Sequence, residues 1–271
     1  MPELPEVETT RSGIAPHVEN KTISQVVVRC KKLRYPVPTR MAKEALGQRV
    51  DIVERRGKYL LLRTVAGTIL VHLGMSGSLR LVDSALPAEK HDHVDIVLND
   101  QRCLRLHDPR RFGAVLWIKG DPYDHDLLSS LGPEPLNDAF DGDYLYQRSR
   151  GRRVSIKQFV MDSKLVVGVG NIYASESLFM AGMRPQTAAG KVSRVRYQKL
   201  AAVIKDVLSM AIKQGGTTLR DFVDGSGKPG YFQQQLNVYG RDGEPCNVCS
   251  TAIKHLQQGQ RSSYYCPCCQ R

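Results

Sequence analysis

The sequence predicts an α+β chain of more than one domain, with a strand-rich first half, a helical second half and a small four-cysteine module at the end. Three observations carry that prediction. Between residues 22 and 118 the apolar residues fall in short runs or alternate with period two, the signature of half-buried strands. Past a stretch rich in Pro, Gly and Asp at 132–143 the apolar period becomes helical. The last thirty residues contain Cys246-x2-Cys249 and Cys266-x2-Cys269.

In chain order, Pro5 followed by Glu6, Val7 and Glu8 marks a helix start, with proline where no N–H partner exists and acids at the positive end of the helix. That helix is expected to end between Gly13 and Pro16. Strands are expected over Ile23–Arg29, Val50–Val53, Tyr59–Arg63, Thr68–His72, Ser78–Val82, Val94–Leu98, Cys103–Leu106 and Ala114–Ile118, a spacing that fits a β-sandwich or a barrel. Helices are expected at 144–150, 154–161, 171–181 and 194–214, the last stopped by Gly215-Gly216. Residues 217–231, polar and glycine-rich, read as a mobile loop of a length that is usually functional or disordered. The expected divisions are a first domain at 1–132, a linker at 133–143, a helical domain at 144–236 and a cysteine module at 237–271.

A chain of 271 residues with 41% hydrophobic content can bury two cores, which excludes disorder and a minimal disulfide scaffold. No apolar run is long enough to span a membrane, and the first residues show no basic segment leading into an apolar one, so a cytoplasmic protein is expected. The net charge of +12 points to a polyanionic partner. Sixteen residues separate the two C-x-x-C pairs, a spacing that suits tetrahedral zinc held by two knuckles. Cys268, inside the second pair, competes as a ligand by residue type. Cys30 and Cys103 lie in apolar alternating stretches and read as inert core residues.

The most unusual chemistry sits at the start. With Met1 removed, Pro2 becomes a free secondary amine beside Glu3. An α-amino group titrates near 8, far below lysine near 10.4, so at neutral pH it offers more of the nucleophilic form. Its adduct with a sugar carbon is an iminium that proton loss cannot neutralise, which makes it an electron sink suited to elimination. By residue type alone, Pro-Glu-Leu-Pro-Glu reads first as a stiff leader into a helix.

Six blocks then resemble a known family: Pro2-Glu3-Leu4-Pro5-Glu6-Val7-Glu8-Thr9, Arg56-Gly57-Lys58-Tyr59-Leu60, His72-Leu73-Gly74-Met75-Ser76-Gly77, Lys90-His91-Asp92-His93, Asp108-Pro109-Arg110-Arg111-Phe112-Gly113 and Gly168-Val169-Gly170-Asn171-Ile172-Tyr173. In order and over the whole chain, with the terminal cysteines, they are similar to bacterial formamidopyrimidine-DNA glycosylases. The resemblance implies an N-terminal β-sandwich, a C-terminal helix-two-turn-helix domain and a zinc ribbon holding one structural ion on Cys246, Cys249, Cys266 and Cys269. It implies removal of 8-oxoguanine and formamidopyrimidines from duplex DNA, followed by cleavage at the abasic site, by a monomer.

Carried over by position, Pro2 matches the nucleophile that attacks C1′, Glu3 the acid that assists base departure and ring opening, Lys58 the proton donor of β-elimination and Arg261 the residue of δ-elimination. Met75, Arg110 and Phe112 match residues that fill the space of an everted nucleotide. His72, His91, Arg152, Lys157 and Asn171 match DNA contacts. Arg148, Arg150, Arg152, Arg153 and Lys157, with no acid among them, form an expected positive stripe. The 217–231 segment matches the loop that closes over the lesion. Two alternatives remain at this point: an endonuclease VIII-type enzyme acting on oxidised pyrimidines, from which Leu4 and Val7-Glu8-Thr9 depart, and a non-catalytic zinc-ribbon DNA-binding protein.

Overall fold

Helix α1 (Leu4–Val18) begins with proline in its first turn, and the Glu6 carboxylate reaches back so that Oε2 accepts the Glu3 N–H at 2.8 Å, one arm of a capping box. The helix does not stop at Gly13 or Pro16. Proline costs one backbone bond there, but Ile14, Ala15 and Val18 are buried in the sandwich core and carry the helix a further turn. These elements come from a computed structural model, which describes residues 2–216 and 236–271; the loop expected at 217–231 lies outside the described residues. The described chain forms two units, residues 2–129 with 214–216, and residues 130–213 with 236–271.

In the first unit α1 is followed by β1 (Ile23–Val28), α2 (Met41–Glu44), β2 (Ile52–Arg56), β3 (Tyr59–Thr64), β4 (Gly67–His72), β5 (Ser78–Asp83), β6 (Asp92–Leu98), β7 (Arg102–His107), β8 (Ala114–Ile118) and α3 (Asp126–Ser129). The strands make two antiparallel four-stranded sheets, ordered β1-β6-β7-β5 and β2-β3-β4-β8, so the unit is a sandwich rather than a barrel. Leu60, Leu62, Ile69, Val71 and Val115 of one sheet share a core with Val94, Ile96, Leu104 and Leu106 of the other. Strand β2 runs later than its apolar residues suggest because the two-residue turn Gly57-Lys58 pairs Arg56 with Tyr59 and draws the charged Arg55 and Arg56 into the ladder. Glycine leads this turn with φ +57°, as a type II′ hairpin requires.

In the second unit the expected linker is a packed segment. Phe140 is fully buried, the Gly132 N–H donates to Ser163 O at 2.9 Å, and a Cβ on Gly142 would lie 2.3 Å from Gln198 Cα. Proline and glycine in this stretch serve close approach, not looseness. Asp141 then caps α4 (Gly142–Ser149), and α5 (Ile156–Val160), α6 (Asn171–Met180) and α7 (Arg194–Lys213) follow. The chain closes with the hairpin of β9 (Lys254–Gln258) and β10 (Arg261–Tyr265). Its two turn residues, Gly259 and Gln260, both have positive φ, the type I′ arrangement. Among the described residues no helix is long and apolar enough to cross a membrane.

The shared core of the two sheets makes Leu62 a direct probe of the sandwich. Leu62→Ala should cost about 2–5 kcal/mol through the lost transfer energy and the cavity left behind, read as a lowered urea midpoint with an unchanged slope.

Candidate functional site

Strand register assembles the first unit's site. Tyr59 pairs with His72 and His72 with Ala114, so the turn 57–58, the loop 73–77 and the loop 108–113 leave one sheet at the same end. In the other sheet Ser78 and Asp92 both pair with His107, which brings residues 89–91 to the starts and ends of the same loops. Lys58, His72, Met75, His91, Arg110 and Phe112, scattered over fifty-five residues of sequence, therefore share one end of the sandwich. The start of α1 is tied to this end by a charged relay. Glu8 Oε2 accepts Arg55 Nε at 2.8 Å, and Arg55 Nη1 donates to Gly57 O at 3.1 Å, the carbonyl just before Lys58. Burial alone would raise the Glu8 carboxyl, but hydrogen bonds from Arg11 and Arg55 outweigh it and hold the group below its ordinary value.

Pro2 and Glu3 are buried immediately ahead of α1, Glu3 with 2% exposure. Glu6, equally buried, bonds the Glu3 backbone and faces Gly216, where a Cβ would stand 3.1 Å from Glu6 Oε1. A second carboxyl beside Pro2 and Glu3 is invisible in residue spacing, because Glu6 reads there as helix-start acid. His72 is held near pH 4 by burial, reinforced by the charges of Arg34 and Lys58, so its ring is neutral at pH 7. Its Nδ1 accepts the Gly74 N–H at 3.0 Å, leaving Nε2–H as the donor, and the ring lies against Tyr59 at 4.9 Å. Cys103 is buried and its thiol pushed up to about 12, mainly by burial, as an inert core residue requires.

Met75 and Phe112 are exposed, and the Arg110 guanidinium lies over the Phe112 ring at 5.0 Å. The two loops that carry them touch through glycines: a Cβ on Gly74 would fall 2.4 Å from Gly113 N. Apolar side chains on rigid, exposed loops suit insertion into a stack of bases better than core packing.

The second unit places its residues differently. Arg152 is exposed between α4 and α5. Lys157 corrects the expected basic stripe: it is 1% exposed, and its Nζ donates to Ser262 O at 2.7 Å and Ser263 Oγ at 2.9 Å, which anchors the β9–β10 hairpin to α5. Arg150 stays exposed in the stripe, its guanidinium oriented by bonds to Gly190 O and Val192 O and stacked over Tyr146 at 4.0 Å. Asn171 opens α6; its Nδ2 reaches Tyr239 Oη at 3.5 Å, while its buried Oδ1 has no partner among the described residues. The buried Glu176 gathers the backbone N–H groups of Asn237, Val238 and Tyr239 at 2.8–3.0 Å, another polar anchor that spacing does not reveal. Arg261 stands exposed at the tip of the hairpin.

Below that tip the Sγ atoms of Cys246, Cys249, Cys266 and Cys269 lie within 4.8 Å of one another, with 3.9 Å between Cys246 and Cys269 and 3.4 Å between Cys249 and Cys266. A zinc–sulfur bond of about 2.3 Å in a tetrahedron demands sulfurs roughly 3.8 Å apart, so the four residues fit the ion. Thr251 hydrogen bonds pull the Cys249 thiol down to about 6, toward the thiolate a metal needs. Cys268 is exposed and outside the cluster. Gln270 supports the site from behind, accepting Cys266 N–H at 2.8 Å and donating to Met183 O at 2.7 Å.

A sandwich with a buried proline and acid ahead of a helix tied to a lysine turn, together with a helical unit ending in a four-cysteine ribbon, fits the zinc-ribbon class of DNA glycosylases. Residues 1–115 match the formamidopyrimidine-DNA glycosylase N-terminal domain, residues 131–223 its helix-two-turn-helix domain, and residues 243–271 the zinc finger found in these proteins and in isoleucyl-tRNA synthetases. The chain is 59% identical to the formamidopyrimidine-DNA glycosylase of Pseudomonas savastanoi pv. phaseolicola and 60% identical to that of Pseudomonas putida, each over 271 residues and the full length of both chains. Its structure is similar to the crystal structure of the Thermus thermophilus protein, with a TM-score of 0.90, 36% identity and coverage of 99% and 98% of the two chains. It is also similar to a Lactococcus lactis protein in complex with DNA containing an abasic site, with a TM-score of 0.91, 32% identity and 99% of each chain covered. The chain belongs to the formamidopyrimidine-DNA glycosylase family, and its four cysteines hold one structural zinc ion.

The burial of His72 gives a signed pH dependence. Its folded pKa lies below the unfolded value, so on acidification the unfolded chain takes up the proton first and stability falls between about pH 6.5 and 4. At pH 4.5 wild type should lose about 2–3 kcal/mol relative to pH 7 that His72→Gln does not lose, measured by urea unfolding of both proteins at both pH values. Zinc removal should act locally: a chelator should abolish amide-exchange protection over 244–271 and leave the sandwich amides protected, because the hairpin buries few apolar side chains of its own.

Proposed function

We propose that this protein is a bifunctional DNA glycosylase and abasic-site lyase of base excision repair, acting in the bacterial cytoplasm at the nucleoid on 8-oxoguanine and formamidopyrimidines in duplex DNA. The observation that carries the reading is the burial of Pro2 and Glu3 at the positive end of α1, with α1 tied through Glu8 and Arg55 to the turn that holds Lys58. The helix end and the low intrinsic pKa of a terminal amine both favour a neutral Pro2 nitrogen once Met1 is removed.

The everted nucleotide presents C1′ to Pro2. As the Pro2 nitrogen forms a bond to C1′, the glycosidic bond breaks and its electrons leave with the base, which takes up a proton. Glu3 gives its proton to the departing base and, recharged by the N–H proton that Pro2 loses, protonates the ring oxygen as the sugar opens to the iminium. The iminium draws electrons from C2′, whose proton passes to water as the 3′ C–O bond breaks and its electrons leave with the phosphate, to which Lys58 donates a proton. Arg261 serves the second elimination at the 5′ side, its fixed charge engaging phosphate. Met75, Arg110 and Phe112 fill the vacated stack. His72, His91, Arg152 and Asn171 hold the backbone; Lys157 contributes to binding by fixing the hairpin that presents Arg261. The neutral His72 donates from Nε2 without adding charge beside Lys58.

Pro2→Gly should retain DNA binding yet lose most excision, because a primary amine is less nucleophilic and its imine can be neutralised. An uncleaved N-terminal tag should be more damaging, since it turns the Pro2 nitrogen into an amide. Borohydride should trap wild type on lesion DNA with the adduct mapping to residue 2; wild-type excision by a tagged protein, or an adduct on Lys58, would overturn the assignment.

A further inference from the structure

The loop 108–113, which joins β7 to β8, is held by a single buried residue. Asp108 is fully buried, and three of its polar groups are engaged in the loop or its frame. Its N–H donates to His91 O at 2.9 Å, its carbonyl lies 2.9 Å from His93 Nε2 and accepts Arg111 N–H at 3.2 Å, and its Oδ2 accepts Gly113 N–H at 2.7 Å. The last bond closes the loop on itself across five residues and leaves Arg111 in the left-handed region, φ +56°, a conformation that a non-glycine residue keeps only when its surroundings enforce it. Gly113 sits in the closed ring with no room for a side chain, since a Cβ would be 2.9 Å from both Asp108 Oδ2 and His72 O. The other carboxylate oxygen, Oδ1, is buried with no partner among the described residues. A lone buried carboxylate oxygen lowers stability, so this carboxylate is better explained by the loop shape it imposes than by what it adds to the fold.

We propose that Asp108 is the positioning residue of the Arg110–Phe112 wedge. Its carboxylate fixes the loop so that Phe112 and the guanidinium stacked on it project outward before DNA arrives, and the cost of ordering them is met by folding rather than by binding. Through the Gly74–Gly113 contact the same lock sets the position of Met75. Asp108 touches no reacting atom. The proposal rests on the reading of Phe112 and Arg110 as inserting residues, and the experiment separates the two.

Strand cleavage is measured at subsaturating enzyme on two duplexes, one with 8-oxoguanine opposite cytosine and one with a natural abasic site at the same position. An abasic nucleotide leaves the stack at little cost, so the wedge matters less to it. Asp108→Ala should lose about thirtyfold or more on 8-oxoguanine and under about fivefold on the abasic duplex, whereas general destabilisation would lower both alike. Asp108→Asn, which can still offer an oxygen to Gly113 N–H, should stay within about threefold of wild type on both. Asp108→Glu, which keeps the charge but misplaces the oxygen, should show the alanine pattern and serves if Asp108→Ala does not fold. Phe112→Ala should show the same split, and Asp108→Ala combined with Phe112→Ala should lose less than the product of the two single losses, because both changes act on one wedge. Absence of a split in Phe112→Ala would overturn the wedge reading and this proposal with it. A split in Phe112→Ala but equal losses in Asp108→Ala, additive losses in the double variant, or a folded Asp108→Asn that behaves as alanine would overturn the role of Asp108 alone.

Discussion

The alignment of His72 with Tyr59 on one side and Ala114 on the other is the constraint on which the first unit's site depends. Side chains alternate across a sheet, so a slip of one residue in β4 would turn Ile69 and Val71 out of the core and carry the loops after His72 and before Ala114 out of step. The core and the site are thus fixed by the same pairing. The apolar cost of a slip protects the position of residues that themselves contribute nothing to the core, Lys58 and Met75 among them.

Buried polar groups complete what the register begins. Arg105, 2% exposed, grips Asp95 through Nε at 3.0 Å and Nη2 at 2.9 Å and turns Nη1 to Pro87 O, which holds the segment leading to His91 over the sheet. Burial would raise the Asp95 carboxyl, yet Arg29 and Arg105 together keep it below its ordinary value and charged. Glu6, Asp108, Lys157 and Glu176 act in the same manner, each a buried polar side chain aimed at backbone groups of a functional segment. Such groups stabilise little, because desolvation offsets most of what their bonds contribute. What they supply is a single geometry for the backbone they hold.

The ribbon uses metal for the same end. Its hairpin has one small cluster of apolar partners, Phe179, Val238 and Ile253, around the cysteines, too little to fix the Arg261 tip. Four zinc–sulfur bonds below and the Lys157 ammonium at Ser262 and Ser263 define the hairpin from two sides. A mobile tip would spread the guanidinium over many positions, whereas a hairpin held from two sides presents it in one.

Much of this was legible in the residues. The cysteine spacing specified four zinc ligands because a metal needs donors of fixed type and number, and Cys268 falls outside them by geometry alone. Strand and helix positions followed from apolar period, and failed where tertiary packing overrode local preference: α1 continues past Pro16, β2 recruits Arg55 and Arg56, and residues 133–143 pack instead of linking. Lys157 read as an exposed cation because a sequence shows that a residue is charged but not which way it faces. By itself, then, the sequence determined the chemistry available to this protein, the proline and acid side by side at residues 2 and 3, the basic balance and the metal ligands, since each depends only on residue type and short spacing. Only the tertiary structure decided which charges are buried as braces and which stand exposed, and that Gly74 meets Gly113 across thirty-nine residues, because burial and long-range contact depend on packing among segments that local sequence does not encode.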